Sequence, residues 1–215
     1  MKKVLLTLLL IAGCMSAMAQ WTDNTYENNR ITPKDMSMYA TDFMVTPDGM
    51  TYYVINRPLN GNIATCLQII RKDGTLMFPE EGKIISNEIT KSYTVINDLI
   101  QIDKDNNALI AVHDCRNSNE TDKRLSYTIY KVSPTGENLW GENGVDIEEG
   151  HANGIEAAIR MIQLEDGSYV FAWMVDNGNV MSLKLQKRSN DGELIWNEEI
   201  ADNEITHQFP YLTNA

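Results

Sequence analysis

Residues 135–144, Thr-Gly-Glu-Asn-Leu-Trp-Gly-Glu-Asn-Gly, form a stretch that occurs three times in related form along this chain of 215 residues. The other two copies are DGTLMFPEEG at 73–82 and DGELIWNEEI at 191–200. Each copy has a turn glycine and a large aromatic residue four positions later, and the glycines lie 62 and then 56 residues apart. This spacing indicates an internal repeat, whose signature positions are Gly74, Phe78, Gly136, Trp140, Gly192 and Trp196.

Short runs of alternating apolar and polar residues, separated by turn formers such as Asp-Gly, fill each repeat. This pattern is typical of antiparallel strands joined by tight turns. Each repeat contains four such runs, and the fourth carries the signature aromatic, at Thr75–Phe78, Glu137–Trp140 and Glu193–Trp196. No segment has the sustained period of an amphipathic helix, so the sequence predicts an all-β fold.

Four-stranded units repeated at this interval are typical of β-propeller blades, which pack face to face around an axis. We predict a propeller-type repeat domain at 41–215, with three four-stranded antiparallel blades and the start of a fourth, at about 41–79, 98–141, 158–197 and 205–215. Because three blades sweep too small an angle to close a ring, we expect an open arc, part of a larger propeller, whose apolar faces can self-associate. Trp140 and Trp196 are expected to be mostly buried at the sheets.

The first 40 residues precede the repeats. Residues 1–19 have the features of a secretory signal peptide: two lysines, a short apolar run and the small-residue site Ala17-Met-Ala19. As an alternative, Ile11-Ala-Gly-Cys14 resembles a bacterial lipobox, which would anchor the protein through a lipid on Cys14. Residues 20–40 read as a polar lead-in, and no later stretch is apolar enough to cross a membrane. We expect an exported protein.

Acidic residues outnumber basic ones, 30 to 18, and the formal net charge is −12. Such a chain lacks the basic face that phosphates require, so no nucleic-acid partner is expected. After signal cleavage, Cys66 and Cys115 remain. They either pair, which an export compartment permits, or stay free thiols, which we favour because bridging demands close Cα atoms. The absence of a Cys-x-x-Cys pair from the sequence argues against zinc.

Three charged residues, Asp42, Asp98 and Arg160, lie just before or within the first predicted strand of their repeats. In a propeller this strand lines the central channel, so these side chains are candidate ligand-binding groups at the channel mouth. Carboxylates there can bind a cation or act as acid and base; alternatively, these are channel-lining polar residues bridged by water. The run 103–107, Asp-Lys-Asp-Asn-Asn, resembles the start of a calcium loop but lacks its glycine, which favours a plain hairpin turn. We expect no catalytic set, no metal and no cofactor.

Two stretches carry a resemblance to known propellers. TGENLW at 135–140 resembles the Thr-Gly-x-x-x-Trp signature of quinoprotein-type propellers. KLQKRSNDGELIW at 184–196 resembles more closely a repeat of secreted bacterial β-propeller-like proteins, through Gln186, Lys187, Gly192 and Trp196. The resemblance covers about residues 40–202 and implies an exported or cell-surface scaffold. It implies no quinone cofactor, because the repeat here is longer than the quinoprotein one.

These observations favour an exported, non-enzymatic scaffold that binds protein or glycan partners at the cell surface. The alternative is a propeller-type polysaccharide hydrolase or lyase that uses carboxylates at the channel mouth. A lipoprotein anchored through Cys14 could carry either role.

Overall fold

The computed structural model of the chain describes residues 31–33, 38–90, 98–114, 116, 126–147, 155–176 and 181–200. The expected signal peptide with Cys14, most of the lead-in, Cys115 and the start of a fourth blade at 205–215 lie outside these residues.

The described residues form twelve strands in three four-stranded antiparallel sheets, each with its strands in chain order. Blade 1 consists of β1 (Tyr39–Val45), β2 (Thr51–Leu59), β3 (Asn62–Ile70) and β4 (Lys83–Thr90). Blade 2 consists of β5 (Leu99–Ile102), β6 (Ala108–Asp114), β7 (Ser126–Val132) and β8 (Val145–Asp146). Blade 3 consists of β9 (Ile155–Gln163), β10 (Tyr169–Asp176), β11 (Met181–Arg188) and β12 (Leu194–Ile200). Within this part of the chain there is no helix long and apolar enough to cross a membrane. The all-β prediction of three four-stranded blades is confirmed.

The fourth strand begins later than predicted in blades 1 and 2. After the signature turn, Leu76 and Asn138 each form a single bridge to the third strand, and the chain then leaves the sheet in a loop. Pairing resumes only in β4 and β8. The fourth strands predicted at Thr75–Phe78 and Glu137–Trp140 are therefore wrong, and both sheets extend past the predicted blade ends. In blade 3 the chain stays in the sheet, and β12 follows the turn directly.

A second glycine, eight positions after the signature glycine, explains these loops. Gly82 and Gly144 have positive φ angles of 74° and 63°, which return the chain to the sheet. A Cβ atom on Gly144 would lie 2.7 Å from the carbonyl oxygen of Ile129. Blade 3 has Ile200 at the matching position, and a β-branched residue disfavours that backbone conformation. The fourth strand of blade 3 accordingly runs without interruption.

We predict that Gly144→Ala destabilises the fold more than Gly141→Ala. Both glycines have positive φ, but a Cβ atom on Gly141 would meet nothing within 4 Å. Backbone strain alone costs about 1–2 kcal/mol at either position, and overlap with backbone adds about 1–3 kcal/mol at Gly144. Urea unfolding of the two variants measures the difference, and equal losses of stability would contradict this role of Gly144.

The blades pack side by side, with β5 between β1 and β9 at their inner edges. Two apolar cores lie between the described sheets. The core between blades 1 and 2 includes Tyr52, Leu67 and Ile110, and the core between blades 2 and 3 includes Ile129, Phe171 and Trp173. Blade 2 thus buries both faces, as a middle unit of a repeat stack must.

The signature aromatic of each of the first two blades contacts the signature glycine of the next blade. A Cβ atom on Gly136 would lie 2.7 Å from the ring of Phe78, and one on Gly192 would lie 3.0 Å from the ring of Trp140. The indole Nε1 of Trp140 also donates a hydrogen bond to the carbonyl oxygen of Asn190, at 3.0 Å. We call this arrangement the aromatic–glycine contact. It explains why glycine occupies the turn in blades 2 and 3.

Trp196 does not share the burial of Trp140. The exposed fraction is 37% for Trp196 and 7% for Trp140, so the expectation that both are mostly buried is wrong for Trp196. The reason is that no sheet among the described residues follows blade 3 to cover β12.

The two tryptophans should therefore differ in their contribution to stability. We predict that Trp140→Ala lowers the free energy of unfolding by about 3–5 kcal/mol, because it empties a packed site between two sheets. Trp196→Ala is the matched control and should cost about 1 kcal/mol or less, because the ring is partly in water already. Chemical denaturation with far-UV circular dichroism measures both. Similar midpoints for the two variants would contradict the packing difference.

Candidate functional site

Asp42 holds two inner strands together. On β1, its carboxylate accepts hydrogen bonds from the backbone N–H of Phe43, at 2.9 Å, and of Ile100 on β5, at 3.0 Å. A carboxylate that accepts backbone N–H bonds from two strands has an evident structural role. The structure thus places Asp42 at the junction of blades 1 and 2.

Asp98 lies at the start of β5 and is 5% exposed. It accepts a hydrogen bond from the backbone N–H of His113, at 3.0 Å, and its other oxygen lies 2.9 Å from the hydroxyl of Thr65 on blade 1. The Thr65 hydroxyl also lies 3.0 Å from the side-chain oxygen of Asn56. A buried carboxylate needs such partners, because burial without them is costly.

Arg160 lies on β9 in blade 3, half-buried, and donates to the carbonyl oxygen of Ile159, at 2.8 Å. Asp42 and Asp98 therefore lie at the junction of blades 1 and 2, whereas Arg160 lies on another blade. Their hydrogen bonds do not join the three into one group. Ligand binding by these residues stays a prediction.

A cleft of about 490 Å³ opens between the outer parts of blades 1 and 2. Arg116 lies in it and donates hydrogen bonds to the carbonyl oxygen of Asn143, at 2.7 Å, and to the hydroxyls of Ser86 and Tyr130. Its guanidinium also lies 5.6 Å from the centroid of the Tyr130 ring. We call this region the outer cleft; its lining residues are Ile84, Ile85, Ser86, Asn87, Arg116, Tyr130, Glu142 and Asn143.

The outer cleft combines an acceptor, an acid and a cation. The Oδ1 atom of Asn87 is buried and has no hydrogen-bond partner among the described residues. Glu142 is exposed, and its carboxylate accepts one hydrogen bond from Asn138, at 2.8 Å. Buried polar atoms are normally satisfied by protein, water or ligand. This set of groups can therefore bind a polar ligand with several hydroxyls.

Sequence reasoning missed the outer cleft. Its members come from β4, from Arg116, from β7 and from the loop after Trp140. The one available signal was Glu142, which recurs two positions after each signature aromatic as Glu80 and Glu198. That signal points to a repeat position and not to a site.

A smaller cleft of about 210 Å³ lies between blades 2 and 3, beside the turn at 103–107. Asp103 folds over this turn, and its Oδ1 accepts the backbone N–H of Asp105, at 2.9 Å, and of Asn107, at 2.8 Å. Asn106 takes the left-handed conformation, with φ of 61°, where a glycine is more common. The plain hairpin turn favoured over a calcium loop is confirmed.

Asp103 also belongs to a buried network between blades 2 and 3. The Tyr169 hydroxyl donates to its Oδ2 at 2.8 Å, and the ammonium group of Lys131 lies 3.7 Å from the same atom. Lys131 in turn donates to the side-chain oxygen of Asn190, at 2.7 Å. Burial raises the pKa of Tyr169 above its usual range, and the hydrogen bond to Asp103 raises it further. The network satisfies each charge and holds the two blades in register.

We predict that this tyrosine makes the fold sensitive to alkaline pH. Its pKa is higher in the folded than in the unfolded chain, so its contribution to stability is complete below pH ~10 and is lost as the pH rises further. Tyr169→Phe should cost about 1–2 kcal/mol at pH 7, because Asp103 loses a donor. It should also reduce the loss of stability between neutral and alkaline pH. Urea unfolding across that range measures both effects, and an unchanged alkaline slope would contradict the prediction.

Metal and thiol chemistry find little support in the described residues. No group of three or more His, Cys, Asp or Glu side chains within these ranges could hold a metal ion. Cys66 is a free thiol with no exposed surface, and burial raises its pKa, which disfavours the reactive thiolate. Cys115 lies outside the described residues.

No protein-family model and no curated protein sequence matches the chain. Among solved structures, the endo-arabinase from Bacteroides thetaiotaomicron VPI-5482 is similar, with a TM-score of 0.40 and 13% sequence identity. The match covers 81% of this chain and 64% of that chain. Similarity at this level assigns no activity to the protein.

Proposed function

We propose that the protein is an exported, non-enzymatic propeller scaffold that binds a glycan in the outer cleft. The observation that carries the proposal is the polar lining of this cleft of about 490 Å³, with a guanidinium, an unpaired amide oxygen and an exposed carboxylate. Its volume falls in the range of about 300–1,000 Å³ that small ligands occupy. Sugar hydroxyls both donate and accept hydrogen bonds, so such a mixed set suits them.

A glycan fits the outer cleft better than a folded protein partner does. Stable protein interfaces bury about 800 Å² on each side and have an apolar centre with a polar rim. The outer cleft is concave, and its polar groups Asn87, Arg116 and Glu142 lie within the hollow itself. The ring of Tyr130 adds an aromatic surface of the kind that packs against a sugar.

The hydrolase or lyase alternative loses support from the bonds of its candidate carboxylates. Glycoside hydrolysis commonly uses two carboxyl groups that flank one glycosidic bond. Asp42 and Asp98 instead accept hydrogen bonds from the backbone N–H groups of Ile100 and His113. Groups that hold strands together are poorly placed to transfer protons to a substrate.

Export rests on the N-terminal sequence, with its paired lysines, apolar run and Ala17-Met-Ala19 site. A lipid anchor on Cys14 is the alternative within the same proposal. In either case the protein would meet polysaccharides outside the cytoplasm, which agrees with a glycan as ligand.

Titration of the purified protein with a panel of neutral and uronic-acid oligosaccharides tests the proposal. We predict that at least one class binds saturably by isothermal calorimetry. Glu142→Gln should weaken this binding about fivefold or more, because a charged acceptor for a hydroxyl is lost. Asn87→Ala should weaken it in the same direction.

Glu198→Gln is the matched control, because Glu198 occupies the same repeat position on blade 3, outside the outer cleft. It should leave the affinity unchanged. The proposal fails if no oligosaccharide binds, or if the variants at Glu142 and Glu198 weaken binding equally.

A further inference from the structure

The outer face of blade 3 exposes apolar side chains and a tryptophan. The exposed fractions of Leu194, Ile195 and Trp196 on β12 are 54%, 53% and 37%. Adjacent large apolar side chains with this much exposure mark a binding surface on a soluble protein. We call them, together with Lys187 on β11, the β12 surface.

Register shows which way the β12 surface faces. Gln186 and Arg188 donate hydrogen bonds to the carbonyl oxygens of Ile147, at 2.7 Å, and Asp146, at 3.1 Å, so both point toward blade 2. Side chains alternate along a strand, so Lys187 between them points away from blade 2. Trp196 pairs with Lys187 across the sheet and shares that face.

The same positions in blade 2 meet the next blade. Lys131 and Trp140 stand in blade 2 where Lys187 and Trp196 stand in blade 3, five residues before and four residues after the signature glycine. Trp140 covers Gly192 and donates to the carbonyl oxygen of Asn190, and Lys131 donates to the Asn190 side chain. The β12 surface thus has the same donors and ring as a surface whose occupant the structure shows.

The residue two positions before the next glycine distinguishes the joints. Between blades 2 and 3 it is Asn190, an acceptor for Lys131. Between blades 1 and 2 it is Pro134, and the position matching Lys131 is the apolar, fully buried Ile69. A lysine is thus matched by an acceptor, and an apolar residue by a residue without one. Lys187 places blade 3 in the first class.

We infer that the β12 surface binds a further propeller-type blade from outside residues 1–215, through a turn with the pattern acceptor-x-glycine, such as Asn-x-Gly. In this joint Trp196 covers the glycine and donates to the turn carbonyl, while Lys187 donates to the acceptor side chain. Lys187 now pairs with Asp166 at 2.9 Å, but that aspartate is largely exposed, and such pairs contribute little.

A second copy of the chain fits less well. The matching turn of blade 1 has Lys72 two positions before Gly74, which would place two ammonium groups side by side. Ile55, Cys66 and Ile70 on blade 1 are at most 1% exposed and absent from its core with blade 2, so its other face is covered already. The residues after Ile200 contain no glycine and cannot supply the turn.

A dye-labelled cyclic hairpin peptide with the sequence of residues 186–195, which contains Asn190 and Gly192, serves as the probe. Fluorescence anisotropy should show saturable binding to the full chain. The same peptide with Asn190→Lys should bind about tenfold more weakly or worse, because the acceptor is replaced by a like charge. Light scattering of the chain alone should show a monomer at the concentrations used.

On the protein side, Trp196→Ala and Lys187→Ala should each weaken peptide binding. Phe43→Ala is the matched control: Phe43 is also an exposed apolar side chain, 55% exposed, but it lies on blade 1. Circular dichroism checks that the variants fold. Three results would each overturn the inference: no saturable binding, equal binding of the two peptides, or a stable homodimer that Trp196→Ala dissociates.

Discussion

The contact between an aromatic ring and a glycine fixes how one blade follows another, and much of the structure depends on it. A four-stranded sheet cannot bury its own faces, so each blade needs a neighbour at a set distance. Phe78 over Gly136 and Trp140 over Gly192 set that distance, because a Cβ atom on either glycine would overlap the ring. The two interblade cores, and the clefts at their edges, follow from this spacing.

Polar bonds complete the joints and redirect the functional argument. Asp42, Asp98 and Asp103 are carboxylates that accept backbone N–H bonds, and those of Asp42 and Asp98 lie at the junction of blades 1 and 2. Carboxylates near a propeller channel suggest acid–base chemistry when only their positions are known. Their partners show that they hold strands and turns instead, which moves the best candidate site outward to the cleft around Arg116.

The outer cleft owes its shape to a small departure from the repeat. In blade 2 the chain leaves the sheet after Trp140 and returns at Gly144, and this loop carries Glu142 and Asn143 to the cleft. Blade 3 has Ile200 in place of that glycine and forms a straight β12. One difference in the repeat therefore separates a blade with a recessed binding site from one with an open, apolar edge.

The sequence by itself determined the all-β class, the three repeats and most strand positions, because alternation and turn residues act over a few neighbours. It also marked both glycines that receive a ring. Only the tertiary structure decided that Trp140 is buried and Trp196 is exposed, since their local sequences are alike and the difference lies in whether a blade follows. The same holds for the outer cleft: Asn87, Arg116, Tyr130 and Glu142 come from separate segments, and packing between blades alone brings them together.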